Sequence, residues 1–190
     1  MILAYKGTNW ISQYIKFCTL GRYSHVAWLK TTPTLRNMIR NASKTELGAQ
    51  LVEKTIIRAG CIEAWHKDGV AERSSLTEGH KSGTVIDVYD LPGFEWWYQV
   101  TDWMRSQVGK EYWLKGVLLA RFNRHFEIEP PVDESGAISK YFCSHLIETG
   151  LRLYGYPTVD TDVPPWGVWP DSMPRAVSTV TKYLLTIKLP

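Results

Sequence analysis

A chain of 190 residues with 44% hydrophobic side chains suits one domain with a real core. Its 22 basic and 19 acidic residues are interleaved and leave a net charge of +3, with no Lys/Arg run of the kind that tracks phosphates, so nucleic-acid binding gains no support. No stretch approaches the roughly 18 apolar residues of a membrane span, and MILAYKGTNW lacks the charged start and apolar run of a signal peptide, which points to a cytoplasmic protein or one that is phage-encoded or otherwise delivered.

Thr8 or Asn9 caps a first helix running through Cys18, with Ile11, Tyr14, Ile15 and Cys18 at helical spacing. That pattern makes Cys18 a core residue. Tyr23–Lys30 (YSHVAWLK) reads as a strand, with Tyr23, His25, Ala27 and Leu29 on one face and Ser24, Val26 and Trp28 on the other. Both faces are largely apolar, so the strand is interior. Residues 31–55 read as an insertion, with a helical turn or two at Leu35, Met38 and Ile39. Ser43 with Glu46 forms a capping box for another helix. The segment is a candidate cap over a cleft.

Ile56–His66 reads as extended, with a bulge at Gly60, and Lys67-Asp68-Gly69 is a turn signal. Thr84–Leu91 is a clean strand ended by Pro92-Gly93. Phe94–Val108 carries the strongest helical stripe, Trp97, Val100, Met104 and Val108, flanked by Trp96 and Trp103. Core packing is the expected use of Trp96 and Trp97. A shorter helix follows over Trp113–Phe122, then a loop at Pro130-Pro131. Phe142–Tyr154 is helical, with Cys143, Ile147 and Leu151 in register. Residues 155–176 form an extended, aromatic-bearing loop, and Lys182–Leu189 is the last strand.

Three cysteines, Cys18, Cys61 and Cys143, with no close pair argue against a disulfide scaffold. A catalytic cysteine with a histidine elsewhere is the alternative. Such a cysteine needs thiolate character, which the oriented N–H groups of a helix N-terminus supply. It also needs an imidazole to carry its proton and a polar group to orient that imidazole. Cys143 opens a helix. His25 lies among apolar residues of a strand, and Glu63 lies between Cys61 and Trp65 on one strand face, where a carboxylate is costly without a partner. Taken singly, each residue has a plainer reading: a satisfied core histidine, a solvent-facing glutamate and a small buried thiol.

Four segments change that balance: GRYSHVAWL around His25, GCIEAWHKDGV around Glu63, VGKEYW around Tyr112 and KYFCSHLIETGL around Cys143, with VWPDSM at 168–173 a weaker fifth. In this order they resemble the circularly permuted branch of the NlpC-type, papain-like hydrolases, the YiiX-like group. The resemblance implies an α+β fold: a permuted papain-like core whose antiparallel sheet packs against the helix bearing Cys143, as one domain over 1–190 with the insertion at 31–55. It implies Cys143 as nucleophile, His25 as general acid and base, Glu63 as the orienting group and Tyr112 as a donor toward the oxyanion. It implies no cofactor and no metal. One departure is His145, two residues after the cysteine, where the group usually has an acid. Two residues along a helix is about 200°, so His145 points away from Cys143 and bears on a surface or a secondary layer.

The implied activity is a cysteine hydrolase that cleaves an amide or ester through an acyl-enzyme thioester. A peptide or peptidoglycan fragment is one substrate class, and a lipid acyl ester or amide, as for a lipid acyl hydrolase or acyltransferase, is the other. A peptide- or glycan-binding module using Tyr156, Trp166 and Trp169 is the reading of another class. A zinc site finds no C-x-x-C or H-x-x-x-H spacing, only C-x-H at Cys143 and His145. Oligomeric state leaves no mark in the sequence.

Overall fold

The computed structural model describes residues 1–19, 21–42, 46–119, 128–156, 162–170, 173 and 182–190. Its first element is a strand, β1 (Ile2–Lys6), followed by α1 (Trp10–Thr19) and β2 (His25–Leu29). Two helices come next, α2 (Pro33–Ala42) and α3 (Glu46–Ala59), then β3 (Cys61–Trp65), β4 (Gly69–Arg73) and β5 (Val85–Asp90). The second half holds α4 (Trp97–Ser106), β6 (Glu111–Tyr112), α5 (Leu114–Leu119), β7 (Lys140–Tyr141), α6 (Cys143–Leu153), a 3-10 turn at Pro165–Gly167, and β8 (Lys182–Lys188).

The fold is α+β. Among the described residues six strands form one antiparallel sheet in the order β4-β3-β2-β1-β5-β8. Strand β2 is central and all five of its residues are buried, as two apolar faces require. A short parallel pair, β6 with β7, lies beside β4, tied by Val70 N–H to Lys110 O (2.8 Å) and Gly109 N–H to Val70 O (2.9 Å). Gly69 permits this approach: its φ is +71°, and a Cβ there would meet the Lys110 carbonyl oxygen at 2.1 Å.

Two apolar clusters cover the two faces of the sheet. One joins Val26, Trp28 and Ile62 to Trp97, Val100 and Met104 of α4 and to Cys143, Ile147 and Leu151 of α6. Trp28 spends its indole N–H on Thr101 Oγ1 (2.8 Å), so its burial leaves no donor unmet. The other cluster joins Leu3, Ala27 and Leu29 to Ile39, Val52 and Ile56 of the helices at 33–59. Each such fully buried aliphatic side chain contributes roughly 1.5–3 kcal/mol. The helices at 31–55 therefore build core on the face opposite α6, and none of their residues lines the cavities described below.

Several expectations need correction. The stretch from Ile56 begins as helix, not strand: Val52 and Ile56 pack four residues apart, and α3 ends at Gly60, whose φ of +72° stops it. Tyr23 does not share a face with Ala27 and Leu29; it precedes β2 and packs with Val26 and Trp28. Its hydroxyl donates to Asp87 Oδ2 at 2.5 Å, which turns the ring to that side. Val108 falls beyond α4 and is exposed, because the helix ends at Ser106, and Trp96 is 52% exposed while Trp97 is buried. Strands β1, β4, β6 and β7 have no counterpart among the elements read from the sequence. The Asn9 cap holds, Oδ1 accepting from Ser12 N–H at 2.8 Å. The side chains of Cys18 and Glu46 are not described, and Ser43 and residues 171–172 of the VWPDSM match lie outside the described residues.

Candidate active site

Helix α6 starts immediately after β7. Phe142 occupies the N-cap in an extended conformation (φ −110°, ψ 170°) and supplies no side-chain cap. The first-turn N–H groups at Cys143 are thus left to other acceptors. Ser144 pins this end of the helix by donating to Val168 O at 2.6 Å. The Cys143 side chain is 2% exposed and forms no disulfide.

Strand β2 begins with His25, and β3 pairs beside it with Trp28 opposite Ile62. That register brings Glu63 to the imidazole: His25 Nε2 lies 2.7 Å from Glu63 Oε2. An ionised carboxylate only accepts, so Nε2 carries the hydrogen and Nδ1 is left for another partner. Cys143 is near enough for its charge and hydrogen bonding to act on the His25 ring. Burial opposes protonation of His25. The charge of Cys143 and its hydrogen bond, then the hydrogen bond and charge of Glu63, outweigh burial and raise His25 to about 9.

Glu63 is wholly buried and accepts more than one donor. Arg73 Nε donates to Oε1 at 2.9 Å, and His80 Nε2 lies 3.1 Å from Oε2. Burial alone would raise this carboxyl; the hydrogen bonds from His25 and His80, and then their charges, hold it well below the usual carboxylate range. Arg73 in turn donates from Nη2 to Asp68 Oδ2 at 2.6 Å. His80 stacks on Tyr5 (ring centroids 4.4 Å apart) and meets Trp65 edge-on (4.9 Å).

Tyr112 and Cys143 line one small cavity of about 10 Å³, walled by Ile15, Phe142, Trp169 and Pro170. This is room for roughly one water-sized atom. Burial, then the charges of Cys143 and Glu63, push the Tyr112 hydroxyl well above its ordinary range, so it stays a hydrogen-bond donor. All four residues singled out in the sequence therefore meet around one centre. His80 and Arg73 had not been singled out. His80 lies in the turn between β4 and β5, where no periodicity marks it. Arg73 stands opposite Cys61 across the strand pair, two residues from the partner of Glu63.

His145 is neither near a surface nor in the polar centre. It is fully buried, packed against Tyr141, Phe142, Trp113 and Trp166. Neither of its ring nitrogens has a hydrogen-bond partner among the described residues, and burial lowers it to about 3. The second cysteine, Cys61, sits in β3 with its thiol pushed well up by burial and the charge of Glu63.

The chain matches no family model and no curated protein.

One further arrangement bears on cation binding. His25 Nε2, Glu63 Oε2 and His80 Nε2 all lie within 4.8 Å of one another. Two imidazoles and a carboxylate are a donor set that zinc accepts. Arg73 on the same carboxylate and the engagement of His25 with Cys143 oppose a resident cation there. No helix among the described residues is long and apolar enough to cross a membrane.

Proposed function

We propose that this protein is a cysteine hydrolase that cleaves an amide or ester through a thioester, on a papain-like core in circularly permuted order. The observation that carries the reading is the buried His25–Glu63 pair at 2.7 Å, with Cys143 at a helix N-terminus near enough for its charge to act on the same imidazole. In this reading His25 takes up the proton of the nucleophile. The Cys143 sulfur attacks the substrate carbonyl, forming a C–S bond and a tetrahedral oxyanion. Collapse of that species breaks the bond to the leaving amine or alcohol, which takes the proton from His25. Water then attacks the thioester, His25 accepts its proton, and the acid departs as the thiol is restored.

Glu63 keeps the imidazole in the tautomer and orientation this exchange requires, and Arg73 and His80 keep Glu63 ionised. The small cavity beside Cys143 suits a single oxygen, and the Tyr112 hydroxyl with the Cys143 N–H supports the oxyanion there. Peptide amides and lipid acyl groups both fit this chemistry.

The test is labelling with chloroacetamide across pH 5–9, read by mass spectrometry at each cysteine. Fast labelling of Cys143 over Cys61, lost in His25→Ala, is expected. Slow and equal labelling of the cysteines would replace the enzyme by a binding module. Once a substrate is found, Cys143→Ala should abolish turnover and leave the fold intact; full activity in that variant overturns the assignment.

A further inference from the structure

A second cavity, of about 290 Å³, is lined by His25. Its floor is the buried imidazole pair, His25 and His80, with the Trp65 ring. Its rim carries His66, Lys67 and Lys81, and the opposite wall is the capped start of α1 with the Ser12 and Ser24 hydroxyls. Among the described residues no aspartate or glutamate lines it. The nearby acids are turned elsewhere: Asp68 to Arg73, Glu78 to Ser74, and Glu63 behind the two imidazoles.

The two lysines are exposed. Lys6, Lys30 and Lys140 are each paired with a carboxylate, whereas Lys67 and Lys81 form no ion pair among the described residues. The positive end of α1, a ten-residue helix, adds to the same field. A concave site with low-dielectric walls and one sign of charge concentrates ligands of the opposite sign.

We propose that this cavity is a subsite for an anionic group, a carboxylate or a phosphate, carried by the substrate of the Cys143 centre. The inference rests on the hydrolase reading for its role but not for its test. Lys67 and Lys81 would bind the anion at the rim, and the Tyr5 and Trp65 rings would pack the carbon stem behind it. The group being hydrolysed would then reach past His25 toward Cys143. This assigns selectivity to residues that take no part in the proton transfers.

The experiment is an NMR titration of the intact protein, following the histidine ring protons, with three probes: N-acetylglutamate amide, N-acetylglutamine amide and glycerol 3-phosphate. The first two differ only in charge. Expected are shifts of His66 and His80, and binding of an anionic probe about tenfold or more tighter than the neutral one, weakening with salt. Lys67→Gln with Lys81→Gln should remove about tenfold of that preference. The stronger of the two anionic probes identifies the group as carboxylate or phosphate. Equal binding of charged and neutral probes, no shift at His66 and His80, or an unchanged preference in the double variant overturns the proposal. No bond is broken in the assay, so its result is independent of whether Cys143 is a nucleophile.

Discussion

Two histidines, both buried, show how differently one protein can treat the same side chain. His25 has Cys143 and Glu63 as partners and is raised to about 9. His145 sits among aromatic rings with no partner for either nitrogen among the described residues, and is lowered to about 3. Burial penalises the cation in both places; only the nearby negative charge reverses the outcome at His25. One region of the helix–sheet interface is therefore built to hold a proton and the neighbouring one to exclude it.

The sharpest way to break this contrast is His25→Ala. Loss of the imidazole should slow Cys143-dependent turnover by about 10²–10⁴-fold, measured with any substrate that the labelling screen yields, while the tertiary circular dichroism stays native. A small effect would mean that His25 is a core residue with a polar neighbour.

Next in size is Glu63→Gln. Removing its charge leaves Arg73 with Asp68 as its remaining ion partner, a change that costs about 1.5–3 kcal/mol in denaturant unfolding. The same substitution should bring the His25 titration down from about 9 in NMR. Its effect on turnover should be smaller than that of His25→Ala if Glu63 only orients the ring. Loss of stability without movement of His25 would confine Glu63 to a structural role.

Smaller again is His145→Leu. Removing two unsatisfied nitrogens from an apolar site should raise stability by about 1–3 kcal/mol. The pH dependence separates the two histidines by sign. Because the folded His145 titrates below its unfolded value, its contribution is complete above about 6.5 and is lost as pH falls toward about 3, at up to ~1.4 kcal/mol per pH unit. His25 is the reverse: its contribution is complete below about 6.5 and is lost as pH rises through about 9. Unfolding free energies of His145→Leu from pH 4 to 8 should show a flatter acid limb than those of the unaltered protein; a parallel curve would contradict the burial argument.

The smallest expected effect is none. EDTA should leave Cys143 labelling unchanged, because Arg73 on the Glu63 carboxylate opposes a resident cation among His25, Glu63 and His80. Labelling that fails after EDTA would turn that trio into a functional metal site.

The unevenness of what the sequence reveals follows from the same physics. Cys143 and its helix were legible because Cys143, Ile147 and Leu151 recur at helical spacing and all three are buried. The β2 core was legible because its apolar run leaves only a strand or a buried helix segment, and its aromatic and β-branched residues favour the strand. Strand β1 was not read, because ILAY is buried on both faces and shows no alternation. The last turn of α3 reads as strand at Ile56-Ile57, since two adjacent β-branched residues suit either structure. His80 and Arg73 reach Glu63 only through the pairing of β3 with β4 and the turn that follows. Their importance is a property of sheet order, which local pattern does not encode.

Helix α1 touches both cavities: Ile11 lines the cationic one and Ile15 the small one beside Cys143. Four residues is about one helical turn, a rise of roughly 5–6 Å. On the proposed reading the helix would work as a ruler. A substrate that places its charged group in the first cavity and its carbonyl in the second must span a distance set by the pitch of a rigid element. Compounds one or two bonds too short or too long would bind at one end and miss the other. Chain length would then discriminate among substrates before any difference in bond strength came into play.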